Sequence, residues 1–253
     1  MIELKKVSAG YGLKSVLKCI SLKFSKGKLI AVIGTNGSGK STLLKTVAGI
    51  VKTESGNILI DGISSMSMSR KDLSKKVAYL AQGKSIPDMT VAQMVLHGRF
   101  PHIGYPRRYG EQDRAIAAES MNQMKIGHLA DSPISALSGG MRQKAYIAMA
   151  LTQDTEYILL DEPTTYLDIS NQVELMHILR ALADSGKGII AVMHDLELAF
   201  TFSDTIAVLN NGTIQVCDSP SNVSAAGIVK DDFGIDLQYS SESKSYHYRY
   251  PIH

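Results

Sequence analysis

The sequence predicts an α/β fold, and three observations lead to that prediction. A glycine-rich loop, residues 34–39, separates an apolar run from a helical segment. Short stretches with strand-like alternation occupy residues 2–33 and return at 56–62. A helix-rich stretch, residues 84–136, interrupts the succession of apolar strands and helices. Together they predict a nucleotide-binding α/β core with an antiparallel β subdomain and an inserted helical subdomain.

Composition narrows the class of protein. The 253 residues are 44% hydrophobic, which is enough for a full core, and the net charge of +3 is too small to indicate nucleic-acid binding. Cys19 and Cys217 fit no metal-binding spacing, so we expect reduced thiols. The first residues lack the apolar segment of a signal peptide, and no run approaches the ~20 apolar residues of a membrane span. We therefore expect a cytoplasmic protein that reaches the membrane only through a partner.

The glycine-rich loop has the pattern of a phosphate-binding loop. It follows the apolar run 29–33 and precedes the helical segment 43–49, as that motif requires. Glycines allow successive backbone N–H groups to close on phosphate oxygens, and the helix N-terminus adds partial positive charge. A lysine can reach the outer phosphates, and a serine hydroxyl can bind Mg²⁺. The residues concerned are Gly34, Thr35, Asn36, Gly37, Ser38, Gly39, Lys40, Ser41 and Thr42.

The N-terminal strands predict the β subdomain. Residues 2–7 alternate, residues 8–12 predict a turn, and residues 16–24 and 56–62 predict further short strands. The run Val77 to Leu80 predicts a strand that ends at Gln82. We expect the antiparallel strands to pack beside the nucleotide core.

The central stretch predicts helices. Residues 91–127 have a helical pattern that is interrupted at 98–106, and residues 111–126 are rich in helix-forming residues. The predicted division is an ATPase domain at 1–239, with core and β subdomain at 1–83 and 137–239, the helical subdomain at 84–136, and a loosely attached polar tail at 240–253. A basic cluster in the helical subdomain predicts either a solvated face or a docking surface; it comprises Arg99, His102, Arg107 and Arg108.

Two adjacent carboxylates follow a buried strand. Residues 158–160 are apolar and lead to Asp161 and Glu162, at the edge of an open sheet where ligands bind. Asp161 can hold Mg²⁺ directly or through water, and Glu162 can orient or polarise an attacking water. Residues 169–184 then predict a helix, 188–193 a strand that ends at His194, and 205–217 a hairpin.

A second anion site precedes the next helix. Leu137 is followed by Ser138, Gly139 and Gly140, so a hydroxyl and glycine amides lie at a helix N-terminus. One chain thus has two phosphate-recognising ends. They could serve two nucleotides, or they could be halves of one site that is shared across a dimer.

Taken with Gln82 and His194, these motifs resemble the ATP-binding subunits of ABC transporters over roughly residues 1–235. The resemblance implies ATP and Mg²⁺ as cofactors. Gln82 then matches the Q-loop glutamine, residues 165–168 with Asp168 the D-loop, His194 the switch histidine, and Tyr11 the aromatic residue that stacks on adenine. Catalysis falls to Glu162, His194 and Gln82, and the metal ligands are Ser41, Gln82 and Asp161. Met141 departs from the family pattern, which has glutamine there.

The resemblance also implies partners. In this family two copies form a head-to-tail dimer, with each ATP between the phosphate loop of one chain and Ser138 of the other. The dimer binds a transmembrane permease and, through it, a substrate-binding protein, which places the chain on the inner face of the membrane. Residues 98–102 and 161–169 look like the ATPases of iron-chelate, haem and cobalamin importers. The alternatives are another importer, an exporter, a soluble repair or translation ATPase, and a small-molecule kinase.

Overall fold

The computed structural model describes residues 1–82, 86–106, 108–165 and 167–249. Its strands are β1 (Ile2–Tyr11), β2 (Lys14–Phe24), β3 (Leu29–Ile33), β4 (Thr53–Ile60), β5 (Ile63–Ser64), β6 (Val77–Leu80), β7 (Tyr157–Asp161), β8 (Gly188–Val192), β9 (Thr205–Asn210), β10 (Thr213–Asp218), β11 (Asp236–Ser240) and β12 (Ser245–Arg249). Its α-helices are α1 (Lys40–Val47), α2 (Arg70–Lys76), α3 (Val91–Leu96), α4 (Glu111–Gln123), α5 (Gly139–Thr152), α6 (Ile169–Asp184), α7 (Leu196–Phe202), α8 (Pro220–Ala225) and α9 (Ile228–Phe233).

The core is a six-stranded sheet in the order β10-β9-β3-β8-β7-β6, parallel except for β10. Every residue of β3, β7 and β8 is buried, as expected for parallel strands with both faces covered. The carboxyl ends of these strands lie along one edge. Asp161 ends β7, and the phosphate loop, His194 and Gln82 follow three other strands at the same edge, so the sheet brings distant sequence motifs together.

The predicted antiparallel β subdomain is confirmed. A four-stranded sheet has the order β2-β1-β4-β5 with antiparallel pairing throughout, and its apolar face shares a core with α1. The turn predicted at 8–12 is displaced, since β1 continues to Tyr11 and the chain reverses at Gly12. The difference arises at Ala9, which is fully buried and pairs with Leu17. The register of β1 on β2 shifts on both sides of Ala9, so the strand continues through these small residues.

The helical segment packs α3, α4 and α5 around a shared apolar cluster, which includes Val91, Met94, Ala117 and Met121. The boundary at 83/84 lies outside the described residues, and the subdomain limits stay a prediction. Within the described residues, the structure contains no helix with the length and apolarity needed to cross a bilayer.

The interpretation of the basic cluster was wrong for Arg99 and His102. Arg99 is only 7% exposed; its Nε donates to Asp113 Oδ1 at 2.9 Å and its guanidinium donates to the Thr152 carbonyl at 3.2 Å. His102 Nε2 lies 2.9 Å from the Gln153 carbonyl oxygen. These hydrogen bonds join the segment 99–102 to α4 and to the end of α5, and they therefore stabilise the helical segment. Arg108 is exposed as expected, and Arg107 lies outside the described residues.

The description of residues 240–249 as a loosely attached end was also wrong. They complete the hairpin β11–β12, which packs along α7. Tyr246 is buried with its ring 5.4 Å from that of Phe200, and its N–H donates to Thr201 Oγ1 at 3.0 Å. The Tyr248 hydroxyl accepts from the Leu196 N–H at 3.1 Å. Aromatic burial and backbone pairing fix this segment to the core.

Candidate functional site

The phosphate loop lies between β3 and α1 and has the backbone conformation that its glycines allow. Gly37 has φ 79° and Gly39 has φ 108°, both in the left-handed region that side chains disfavour. A Cβ at Gly39 would also approach Val16 to 3.2 Å and Leu17 to 3.1 Å. These positions require glycine, and the loop leads directly into the N-terminus of α1.

Two buried side chains of the loop fit a phosphate. Lys40 is buried, and its Nζ donates to the Gly34 carbonyl at 2.8 Å and to the Thr35 carbonyl at 3.1 Å. Burial lowers the pKa of Lys40, whereas the charges of Glu162 and Asp161 oppose that shift. Ser38 Oγ is buried and has no hydrogen-bond partner among the described residues. Phosphate oxygens would accept from both groups, so the residues present fit a nucleotide.

The carboxylate of Asp161 meets the start of α1. Ser41 Oγ donates to Asp161 Oδ1 at 2.9 Å, and the Tyr79 hydroxyl donates to Oδ2 at 3.1 Å. Burial raises the pKa of Asp161, and the two hydrogen bonds act against that rise. A hydroxyl and a carboxylate are the hard oxygen donors that Mg²⁺ takes when phosphates supply further ligands. These donors fit the predicted Mg²⁺. The third predicted ligand, Gln82, lies close by, because its side chain donates to the adjacent Glu162.

Glu162 is held by three side chains. Its Oε1 lies 2.6 Å from His194 Nε2, and its Oε2 accepts from Gln82 Nε2 and, at 3.1 Å, from Thr165 Oγ1. Its φ of 53° is unusual for a residue with a side chain and costs about 1–3 kcal/mol. This backbone directs the carboxylate beside Asp161. The geometry brings together the three residues predicted to be catalytic.

A groove of about 340 Å³ opens beside these carboxylates. Its lining includes Gln82, Asp161 and Glu162 on one side and Gly139 and Arg142 of α5 on the other. Space for water or phosphate therefore adjoins Glu162.

The second predicted anion site is exposed on the surface. Ser138 caps α5, a helix of 14 residues, and its hydroxyl accepts from the Met141 N–H at 3.3 Å. Ser138 and Gly139 are exposed. A Cβ at Gly140 would lie 3.5 Å from Leu167, so this site adjoins the segment that contains Asp168. Among the hydrogen bonds of the described residues, none joins Ser138 to the phosphate loop.

The remaining predicted residues lie around this edge. Asp168 caps α6 by accepting from the Asn171 N–H at 2.8 Å; that bond, with the Asn171 side chain, lowers its pKa. Tyr11 is 51% exposed at the end of β1, where a ring is available for stacking. Thr42 is buried in α1, Asn36 is exposed in the loop, and Tyr166 lies outside the described residues.

Sequence reasoning missed Tyr79 as a site residue. It is a hydroxyl-bearing side chain in an otherwise apolar strand, which is a weak signal. Its relation to Asp161 depends on the parallel register in which Tyr79 pairs with Leu159, and no local pattern reveals that register. The contact of Thr165 with Glu162 was missed for a similar reason, since it arises from the turn after β7.

The chain is similar in sequence to known ATP-binding proteins of ABC transporters. The family model described as ABC transporter matches residues 17–165. The petrobactin import ATP-binding protein FpuD of Bacillus anthracis is 36% identical, with coverage of 95% of this chain and 89% of that protein. The iron(3+)-hydroxamate import ATP-binding protein FhuC of Bacillus subtilis is 37% identical, with coverage of 96% and 91%. The chain is thus similar to such proteins over almost its full length.

Solved structures agree on the fold. A dimeric bacterial ABC transporter cassette superposes with a TM-score of 0.76 at 29% identity, covering 87% of this chain and 99% of that one. A post-hydrolysis dimeric state of an ATP-binding cassette with ADP and Pi has a TM-score of 0.76 at 28% identity, with coverage of 87% and 99%. An ATP-binding cassette in its ADP conformation has a TM-score of 0.83 at 22% identity, with coverage of 92% and 98%. The last shows similarity of fold alone.

Proposed function

The chain belongs to the ABC transporter family of ATP-binding proteins, and from that premise we propose that it hydrolyses ATP to drive import of an iron chelate through a membrane permease. One observation carries the enzymatic part. The phosphate cradle, the Ser41–Asp161 pair and the Glu162–His194 pair converge at one edge of the core sheet. Binding, metal and water-activating groups are thereby within reach of one nucleotide.

The residues divide the chemistry among them. Lys40, Ser38 and the loop amides would bind the phosphates, and Ser41, Gln82 and Asp161 would hold Mg²⁺. When bound, Mg²⁺ neutralises phosphate charge and favours departure of ADP. Glu162 accepts a proton from water as the water oxygen bonds to the γ-phosphorus and the bond to the β,γ-bridging oxygen breaks. His194 donates to the γ-phosphate and keeps Glu162 oriented. The products are ADP and phosphate.

We place the second half of each site on a second copy of the chain. Ser138, Gly139 and Asp168 are exposed. Ile169, next to Asp168, is 80% exposed, which is unusual for a large apolar side chain at the start of a helix. An interface across this surface would cover Ile169 and bring Ser138 to the partner's phosphate loop. The dimeric cassette with the same fold supports this arrangement.

Complementation between two inactive chains tests the shared site. Ser138→Arg blocks the second anion site, and Lys40→Ala weakens the phosphate loop. A mixed dimer has one site with both halves intact, so we expect ATPase activity above that of either variant alone at equal total concentration. If mixed dimers form and no activity returns at any ratio, each site belongs to a single chain.

The permease is expected to dock on the helical segment. Because Arg99 of the basic cluster is buried, we place the docking face on the exposed apolar residues beside it. Tyr105 is 99% exposed, and Phe100, Pro101 and Ile103 border a cavity of about 330 Å³ together with Lys71. An apolar patch with a basic rim suits a short amphipathic helix of a membrane subunit. The chain would then lie on the cytoplasmic face of the membrane, and a substrate-binding protein would act on the opposite side.

Substitution at the patch tests docking. Tyr105→Glu should uncouple transport and leave the ATPase of the isolated subunit within about twofold, because Tyr105 is exposed and does not line the groove beside Glu162. Tyr239→Glu is the control for a glutamate at an exposed tyrosine elsewhere, since Tyr239 is 52% exposed on the C-terminal hairpin; because its ring lies 5.2 Å from that of Tyr246, thermal melting accompanies both variants. Normal uptake with Tyr105→Glu would exclude this docking face.

The cargo is proposed from the relatives, whose names specify petrobactin and iron-hydroxamate import. A deletion strain should lose uptake of radiolabelled ferric chelate and regain it with the wild-type chain, whereas Glu162→Gln should not restore it. Unchanged chelate uptake in the deletion strain would refute the cargo and leave the ATPase assignment. Loss of efflux instead would favour the exporter alternative.

A further inference from the structure

Both carboxylate oxygens of Asp161 are occupied by side-chain donors from different elements. Ser41 Oγ, in the first turn of α1, donates to Oδ1 at 2.9 Å. The Tyr79 hydroxyl, on the neighbouring strand β6, donates to Oδ2 at 3.1 Å. With one donor on each oxygen, the orientation of this buried carboxylate is restrained.

The two donors have different roles in the site. Ser41 is itself a proposed ligand of the metal, so its oxygen must turn toward Mg²⁺ when nucleotide binds. Tyr79 lies outside the phosphate loop and has no such second task. It is held by the parallel register of β6 on β7, where it pairs with Leu159, two residues before Asp161. The Tyr79 hydrogen bond can therefore persist in both states.

The direction of this hydrogen bond follows from the two groups. The phenol O–H of Tyr79 donates, because an ionised carboxylate oxygen can only accept. A hydrogen bond from a fixed neighbour to the second oxygen of a metal-ligating carboxylate orients that carboxylate toward the metal.

We propose that Tyr79 is a positioning residue of the magnesium site, where its hydroxyl fixes the Asp161 carboxylate so that Oδ1 faces Mg²⁺. This inference rests on the proposed function, because it assumes that Asp161 and Ser41 bind the metal. Removing the hydroxyl lets the carboxylate rotate and leaves Oδ2 without its donor. Metal affinity should fall, whereas contacts with the nucleotide itself remain.

The chain contains a matched control for this substitution. The Tyr157 hydroxyl donates to Asp61 Oδ1 at 2.9 Å, and Tyr157 is fully buried at the opposite end of β7. Tyr157→Phe therefore removes a tyrosine–aspartate hydrogen bond away from the proposed metal, where Asp61 keeps the N-terminal ammonium and Lys26 as partners, so it reports the loss of a buried hydroxyl without a change at the metal.

The experiment is a Mg²⁺ titration of the binding of a fluorescent ATP analogue to the full chain. In Tyr79→Phe we expect the Mg²⁺ midpoint to rise about tenfold, the lower end of the usual 10–100-fold effect of removing a partner of a metal ligand. Binding of the analogue in EDTA should match wild type. Tyr157→Phe should keep the wild-type midpoint. ATPase activity of Tyr79→Phe should recover at high Mg²⁺.

The outcomes separate the two levels of the proposal. If wild type shows no Mg²⁺ dependence, or if Asp161→Asn keeps the wild-type midpoint, the metal site itself is misplaced. If wild type depends on Mg²⁺ and Tyr79→Phe has the same midpoint, the positioning role is refuted. Equal weakening with Mg²⁺ and in EDTA also overturns it, because Tyr79 would then act on the nucleotide or on folding. Thermal melting of both phenylalanine variants identifies any general loss of structure.

Discussion

Glu162→Gln should nearly abolish hydrolysis and preserve ATP binding. The substitution keeps the shape of the side chain but removes its negative charge and its capacity to accept a proton from water. The glutamine can orient its carbonyl toward Gln82 and Thr165 while its NH₂ faces His194, whose neutral ring accepts in one tautomer. The local geometry should therefore survive the change.

The magnitude follows from the role of the carboxylate. General-base catalysis contributes about 10²–10⁴-fold, which corresponds to about 3–5 kcal/mol of activation free energy. Glu162 is 13% exposed, so bulk water does not readily replace it as the proton acceptor. ATP affinity should stay equal or increase, because the substitution removes a negative charge that faces the phosphates. ATP should then hold the two copies in a closed dimer.

Two measurements check this prediction. Phosphate release under single-turnover conditions gives the rate of the chemical step, and size-exclusion chromatography with ATP reports the dimer. Glu156→Gln is the control, since it makes the same change just before the opposite end of β7, where Glu156 pairs with Lys76. A rate for Glu162→Gln within tenfold of wild type would show that another group activates the water.

Three further perturbations test the binding site and the fold. Lys40→Ala should weaken ATP binding about 10–100-fold, the equivalent of losing one charge-assisted hydrogen bond, as isothermal titration calorimetry can measure. Arg99→Ala should lower the free energy of unfolding by about 3 kcal/mol because it leaves a buried ion pair broken, whereas Arg108→Ala should change it by less than about 0.5 kcal/mol in urea titrations. Burial alone would raise the pKa of Asp204, but Arg180 and neighbouring donors lower it overall. The ionised Asp204 therefore stabilises the fold above its unfolded pKa of 3.8, and this contribution is lost as the pH falls through the lower folded pKa. Between about pH 5 and a pH below the folded pKa of Asp204, the free energy of unfolding should therefore fall less in Asp204→Asn than in wild type. Equal decreases in urea titrations would contradict this account.

The residues of the site were predictable because their chemistry is local. A phosphate loop requires glycines, lysine and serine at fixed spacing, and the structure gives Gly39 the positive φ that the motif implies. The cap of α5 was also visible, since Ser138 precedes two glycines and a helical segment. In these cases a few adjacent residues determine the backbone conformation and carry the predicted function.

The errors have a different origin, because they concern partners that are distant in the sequence. A basic cluster cannot reveal that Arg99 finds Asp113 and the end of α5, so exposure was the natural expectation. The last strand has a polar composition, yet Tyr246 and Tyr248 alternate and lie on α7. Tertiary packing decided these cases, and their local sequence is compatible with either outcome.

The hydrogen bonds within the chain show which groups of the proposed site already have a partner. Lys40 donates to carbonyls of its own loop, and Ser41 donates to Asp161. Gln82 and His194 occupy the two carboxylate oxygens of Glu162. Ser41 and Gln82 would exchange an internal partner for the metal, whereas Lys40 has three N–H donors, uses two, and can add a phosphate contact without losing either.

The contacts of Glu162 bear on the order of events. A carboxylate has about four lone-pair sites, so its three donors leave one site at which Glu162 can accept a proton from water. We therefore expect bound ATP to bring water to a carboxylate that His194 already orients. Gln82 differs from His194, because a turn toward Mg²⁺ would take its side chain away from Glu162. Since Gln82 immediately precedes the predicted helical subdomain, that turn would act on the part of the chain where we place the permease, and we expect hydrolysis and movement to be linked through this side chain.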